Sequence, residues 1–387
     1  MTQVQAASIL VINMGSSSVK FQLFSRQSNP QLLVQGKVSD IGESPSFIAT
    51  DSIPSLGNTE VDKKSLSDEC THEEALCLIL NWIEEWSEQW QVTVVAHRIV
   101  HGGTLFKNSA VINPNVMQKL WALAPLAPLH QPQNLKAIEL ISALKPEVLQ
   151  IACFDTAFHA HHEALFTEYA LPQKIREQGI RRYGFHGLSY EWIVHTLQRY
   201  EPSLVEGRLI AAHLGNGASL CAIRNGVSVD TTMGMTALDG LPMGTRCGSL
   251  DAGAVTFMMR HLGLSSDEVE HLLYNESGLL GLSGLSNDVK TLQDSTNART
   301  QFALEYFCLK TSQFMEMMAV ALGGVDGIVF TGGIGENSAF VRSTVLRHLK
   351  FLKPFETRVV AANEERMMAL HAMSLLEHQA GVKIDGE

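Results

Sequence analysis

The sequence predicts an α/β fold in two copies, and three observations carry that expectation. Apolar strand-like runs alternate with helical patterns along the chain. The stretch ILVINMGSSSVKFQLF (9–24) reads as strand, polar glycine turn and strand, and LIAAHLGNGASLCAIR (209–224) lays over it at an offset of 200. Gly215 then falls on Gly15 and His213 on Asn13. Finally, 387 residues suffice for two domains that each bury a core.

The first turn has two readings. Asn13, Gly15, three serines and Lys20 suit a β-hairpin with a polar turn. They equally suit a loop whose backbone N–H groups, hydroxyls and lysine crowd an anion. Thr71 to Trp90 reads as one helix, with Thr71 and Glu74 as a capping box and Leu76, Ile79, Ile83, Trp86 and Trp90 on one face. Asn113-Pro114 starts a second helix, another follows Pro132, and a long apolar-rich one covers about 301–322. The stretch from Gly42 to Gly57 reads as a surface loop or irregular edge. In GIVFTGGIGENSAFVR (327–342) a strand runs into Gly332-Gly333-Ile334-Gly335 and then a helix, so a ligand can approach bare backbone. No G-K-[ST] follows, which excludes a Walker A loop, and no ribose-binding acid is placed for a Rossmann fingerprint. A tight strand–helix turn remains the alternative.

Charge narrows the partners. Forty acids against 29 bases give −11, which argues against nucleic acid and anionic membrane surfaces but leaves anionic substrates open. MTQVQAAS lacks the features of a signal peptide, and no run of eighteen apolar residues occurs. The six cysteines show no C-x-x-C spacing, so free thiols in a cytoplasmic protein are expected.

Candidate chemistry gathers at strand ends. VVAHRIVHGG (94–103) delivers Arg98, LAPLHQPQNL (126–135) places His130 before a helix, and LQIACFDTAFH (149–159) ends a strand at Asp155. RRYGFHGLSY (181–190) holds His186, and GLPMGTRCGSLDAG (240–253) holds Arg246. Singly, each histidine or arginine suits a structural role. Together, many donors and few acids suit phosphoryl transfer.

INMGSSSVKF, HRIVHGG, APLHQP, FDTAFH, RRYGFHG, HLGNGASL, MGTRCG, FTGGIGEN and ANEERMMA run from the first strand to the tail. With these motifs the chain resembles the acetate/propionate kinase family, of the actin, sugar kinase and chaperone ATPase superfamily. The resemblance implies two ribonuclease-H-like domains with an active-site cleft between them. An acyl-substrate and phosphate domain would be 1–154 plus 367–387, and a nucleotide domain 155–366. Hinges are expected near Asp155 and just after Glu364. It favours the phosphate-loop reading of the first turn. The implied reaction is transfer of the ATP γ-phosphoryl to acetate, giving acetyl phosphate and ADP, in a cytoplasmic homodimer.

The resemblance also implies roles. Asn13 and Glu364 would hold Mg²⁺ (or Mn²⁺), while Lys20, Ser16 and Ser18 approach the ATP phosphates. Arg98 would bind the substrate carboxylate, with His130, Val100, Leu129, Phe185 and Ala237 around the acyl group. His186 and Arg246 would stabilise the transferring phosphoryl, with Asp155 in the catalytic aspartate position. His213, Leu214, Gly215, Asn216 and Gly217 would hold the nucleotide. So would Asp288, Val289 and Lys290, and Gly333, Ile334, Gly335, Glu336 and Asn337. An acceptor acid with a pKa near ~4 is already ionised at neutral pH. Asp155 is therefore expected to orient Arg98 or metal-bound water, not to remove a proton.

Several positions depart from the family pattern. Gln131 stands for Asn, Thr104 for Glu, Ser249 for Asp, Lys290 for Arg and Ala237 for Pro. Ala237 leaves room for a larger acyl group, so propionate should be accepted unusually well and butyrate poorly. Two other readings stay open: a kinase of propionate or another short-chain acid, and a non-catalytic nucleotide-binding module.

Overall fold

A computed structural model describes residues 5–15, 17–52, 61–86 and 89–382. Two compact units result. One runs to Ala157 and resumes at Asn363, and the other is Phe158–Ala362. The sequence places these boundaries at 154/155 and 366/367. By contacts, Asp155 and Glu364 both belong to the first unit.

The first unit is built on β1 (Ala6–Met14), β2 (Val19–Ser25), β3 (Leu32–Ser39), β4 (Ser46–Asp51), β5 (Val61–Ser65), β6 (Trp90–Ile99), β7 (Ala110–Val111) and β8 (Leu149–Phe154). They form one sheet in the order β5-β4-β3-β2-β1-β6-β8-β7. β1 to β5 are joined antiparallel, and β1, β6 and β8 run parallel. Ile9 to Ile12 are at most 1% exposed, because helices cover both faces of β1. That explains the unbroken apolar run in place of alternation. On one face Leu10, Ile12 and Val95 meet Ala75, Leu76, Ile79 and Ile141 of helices His72–Trp86 and Gln131–Leu144.

Two readings of this unit are corrected. The Thr71–Glu74 capping box forms, but the helix ends at Trp86 and Trp90 opens β6. The apolar stripe crosses the break, so periodicity alone did not reveal it. Ser46–Asp51, taken as irregular, is β4: Phe47 and Ala49 are fully buried on one face, the alternation of a half-covered strand. The rest of that stretch, from 53 on, lies outside the described residues.

The second unit repeats the core. β9 (Arg208–Leu214), β10 (Ala218–Arg224), β11 (Val227–Thr231), β12 (Gly327–Thr331) and β13 (Glu356–Val359) are ordered β11-β10-β9-β12-β13. The first three are antiparallel, and β9, β12 and β13 are parallel. The same pattern, β3-β2-β1-β6-β8, lies at the heart of the first sheet. The two glycine turns sit at the same place in each unit, the first longer by one residue. Gly15 N–H donates to the Ser18 carbonyl at 2.8 Å, and Gly215 N–H to the Gly217 carbonyl at 2.9 Å. The long helix is Ala298–Leu322, capped by the Asn297 side chain and by Gly323 in the left-handed region. It packs on β9, β10 and β11.

Four buried histidines make folding acid-sensitive. Burial pushes His97, His101 and His159 down to about 4, and burial with neighbouring His159 pushes His162 to about 2. Unfolded imidazoles take up protons below ~6.5, so the unfolded chain binds more protons there. Stability is complete above pH ~6.5 and falls as pH drops towards 4, by up to ~1.4 kcal/mol per pH unit for each histidine. Urea midpoints between pH 7 and 5 should show this slope, and His97→Gln should reduce it. A midpoint flat over that range would refute it.

Candidate active site

In the first unit, the carboxyl ends of the parallel strands collect the candidate residues. Arg98, near the end of β6, meets Asp155 just after β8 side-on. Its Nε donates to Oδ1 at 3.0 Å and to Oδ2 at 3.1 Å, and one terminal nitrogen donates to Oδ2 at 2.8 Å. The other terminal nitrogen lies 3.3 Å from Glu364 Oε2. Asp155 is almost fully buried, and burial raises its pKa while Arg98 pulls it back. Burial works against the Arg98 charge, but Asp155, Glu364 and Glu365 outweigh it and raise its pKa. Glu365 is itself raised, by burial and by Glu364, with Arg98 and Lys20 opposing. The side-on edge of Arg98 is therefore taken by Asp155, and one of the two terminal nitrogens of its end-on edge already faces the Glu364 carboxylate.

Two side chains outside the candidate site set, Asn134 and the departure Gln131, support this end of the sheet. Asn134 accepts from Val100 N–H at 3.3 Å and donates to the Met14 carbonyl at 3.0 Å. It thus ties the β6 end to the β1 end, beside Asn13. Gln131, buried, accepts from His101 N–H at 3.2 Å and donates to the His101 carbonyl at 3.0 Å. The Gln at this position spans both backbone groups of the loop after Arg98. His130 occupies the N-cap position of the same helix. Val100 is half-buried and Leu129 46% exposed. Lys20 is exposed on β2 opposite Asn13, Ser18 is half-buried in the turn, and Ser16 lies outside the described residues.

In the second unit His186, Gly217 and Arg246 converge. A methyl group on Gly217 would lie 3.3 Å from His186 Nε2 and 3.8 Å from an Arg246 terminal nitrogen. His186 adopts the left-handed φ of 57° at the start of helix Gly187–Tyr200. Its ring stacks on His213 with centroids 4.3 Å apart. Arg246 donates to the Ala237 carbonyl at 3.1 Å and sits 5.9 Å from the Tyr274 ring centroid. Phe185 is buried, its carbonyl 3.0 Å from His159 Nε2. Ser249 donates to Asp239 at 2.6 Å, so this departure still supports the loop that bears Arg246.

Beside the second glycine turn lies a cavity of about 820 Å³. Gly215, Asn216, Asp288, Val289, Lys290, Gly333, Ile334 and Asn337 line it, as does the unanticipated trio Asn287, Gln293 and Ser338. Its size suits a small organic ligand. Gly332 turns the chain here at φ +78°, and a Cβ would meet the Leu214 carbonyl oxygen at 2.8 Å. Only glycine fits. Leu214, Gly335 and Glu336 stand off the cavity. Leu214 is fully buried, and Glu336 accepts from Gly332 and Ala362 N–H groups, each at 2.9 Å. Asp288 caps Val289–Gln293 through Thr291, whose N–H holds its carboxyl below the usual range.

Comparison with known proteins agrees with this geometry. The acetokinase family pattern matches residues 8–369. The acetate kinase of Rhodopseudomonas palustris (strain TIE-1) is 44% identical over 348 residues, covering 89% of this chain and 86% of that protein. The crystal structure of Porphyromonas gingivalis acetate kinase superposes with a TM-score of 0.85 at 35% identity, over 96% of this chain and 100% of that one. A Francisella tularensis propionate kinase gives 0.87 at 32% identity, over 94% and 98%. With a family match across most of its length and these two sheet-bearing units, the chain belongs to the acetokinase family.

Proposed function

We propose that this protein reversibly transfers the γ-phosphoryl of ATP to acetate, giving acetyl phosphate and ADP. The observation that carries the reading is Arg98, pinned side-on by Asp155, whose end-on edge, paired with Glu364 on one nitrogen, is the one a substrate carboxylate would take. A nucleotide switch needs no such clamp. Acetate would lie on that edge, and Asp155 would orient the guanidinium without taking a proton. Val100, Leu129 and His130 would bound the acyl group in the first unit, and Phe185 and Ala237 are the second unit's candidates for acyl specificity. Arg246 and His186 would donate to the phosphoryl oxygens as charge spreads over them. The nucleotide would occupy the cavity beside Gly215 and Gly333, and Lys20 and the serine turn would serve as phosphate-binding groups of the first unit. ATP with a series of carboxylates and hydroxylamine tests this: acyl hydroxamate should form in proportion to added carboxylate. Turnover indifferent to carboxylate would defeat the reading.

Asn13 and Glu364 offer a hard-cation set of one amide and one carboxylate. Among the described residues no group of three or more His, Cys, Asp or Glu could hold a metal. An amide and a carboxylate oxygen are the donor types that suit Mg²⁺ or Mn²⁺, which would fill their shells with water and phosphate oxygens. Such an ion supplies charge neutralisation on those oxygens. The shared strand order supports reading each unit as a ribonuclease-H-like domain. On Ala298–Leu322 the exposed Phe302, Leu309, Met317 and Val320 form one stripe, which supports a homodimer. ATP supply and six cysteines that form no disulfide support a cytoplasmic setting. No described helix is long and apolar enough to cross a membrane.

Propionate is the second reading, favoured by alanine at 237. One methylene is worth roughly 1–3 kcal/mol in an apolar pocket. Ala237→Pro should lower kcat/KM for propionate more than for acetate, and its carbonyl can still accept from Arg246. Equal losses for both acids would remove Ala237 from the acyl pocket.

A further inference from the structure

The stacked His186–His213 pair is wired through three buried hydroxyls that no motif singled out. His186 Nδ1 is 2.8 Å from Ser219 Oγ, and His213 Nδ1 is 2.8 Å from Ser189 Oγ. The wiring is crossed. Ser219 is the ladder partner of His213 on the β9–β10 pair, and Ser189 belongs to the helix that His186 begins. The opposite edges face the glycine turn. A Cβ on Gly217 would lie 3.3 Å from His186 Nε2, and one on Gly215 would lie 3.7 Å from His213 Nε2.

Behind Ser219 stands the Tyr190 hydroxyl, in a short hydrogen bond to Ser219 Oγ. Tyr190 and Ser219 are both 0% exposed. A phenol is the better donor and the poorer acceptor of the two, because its oxygen lone pair is delocalised into the ring. That difference favours Tyr190 O–H as the donor to Ser219, which leaves the single Ser219 proton for His186 Nδ1. A neutral imidazole that accepts at Nδ1 carries its proton on Nε2.

We infer that Tyr190 and Ser219 are positioning residues that hold His186 as the Nε2–H tautomer, aiming a donor at an anion on the Gly215–Gly217 turn. The role assigned to that donor rests on the acyl-kinase reading, but the tautomer does not. In the opposite tautomer Nε2 would present a lone pair to phosphoryl oxygens, and the contact would turn repulsive.

Nitrogen-15 NMR of histidine-labelled full-length protein tests the wiring. The His186 signal is identified by its loss in His186→Gln. In the wild type it should report a protonated Nε2 and a bare Nδ1. Tyr190→Phe keeps the ring and its packing but removes the donor, so the signal should shift towards a mixture of tautomers. In the hydroxamate assay kcat should fall roughly ten- to hundredfold with KM for ATP within about twofold. Ser219→Cys, which substitutes a weak donor, should shift the tautomer the same way. A wild-type Nδ1–H signal would overturn the inference. So would Tyr190→Phe and Ser219→Cys proteins with unchanged signals and unchanged kcat. Wild-type protein without carboxylate-dependent turnover would sink the acyl-kinase reading, while the NMR result still decides the tautomer.

Discussion

Arg246→Ala is expected to lower kcat by roughly 10²–10³ while KM for ATP changes little. Removing one donor aimed at developing charge costs about that much when the donor acts mainly in the transition state. The guanidinium is held before any ligand arrives. One terminal nitrogen donates to the Ala237 carbonyl at 3.1 Å, and Tyr274 lies beneath at 5.9 Å. A preset donor need not reorganise as charge develops, so its loss falls on the chemical step. Arg246→Lys should recover little, since an ammonium cannot hold the carbonyl and present a planar fork together. Steady-state kinetics with acetate saturating would decide it. A raised KM for ATP with normal kcat would remove Arg246 from the chemistry and make it a nucleotide contact.

The parts of this protein visible in its sequence are those specified by neighbours along the chain. Gly15 and Gly215 announce hairpins because each sits in a short polar stretch between two apolar runs, and Thr71 with Glu74 marks a helix start by an equally local pattern. Asp155 was recognisable as a strand-end acid, and Arg98 as a strand-end base. That the two meet side-on across 57 positions depends on the parallel register of β6 and β8, where Arg98 pairs with Cys153. No local pattern encodes that register. Asn134, Ser219 and Tyr190 were invisible for a different reason. Each is an ordinary polar residue inside a longer motif, and only the fold shows that its hydrogen bonds lead, directly or through Ser219, to a site residue. The end of the first helix at Trp86 was hidden by an apolar stripe that continues, by accident of spacing, into the next strand.

Arg98→Leu should cost stability as well as activity. Its side chain is 20% exposed, and those of Asp155 and Glu364 are 3% and 12% exposed. Deleting the cation leaves two carboxylates, with Glu365 close by, in a buried place without compensation. Breaking one side of a buried pair costs about 3–5 kcal/mol, towards the lower figure here because Arg98 keeps some contact with water. Asp155→Asn should cost less, since Arg98 retains Glu364 and an amide oxygen. It should raise KM for acetate more than KM for ATP, because the guanidinium loses the partner that fixes its end-on edge. The two effects separate by pH. Without Arg98 the folded-state pKa values of these carboxyls rise above their unfolded values of ~4, so the folded variant then binds more protons than its unfolded chain. Its penalty is therefore largest near pH 7 and shrinks as pH falls towards 5, where protonation relieves the repulsion. Urea unfolding of wild type and Arg98→Leu at both values measures this directly. A gap that is negligible at pH 7, or that widens on acidification, would mean that Arg98 does not hold these carboxylates together.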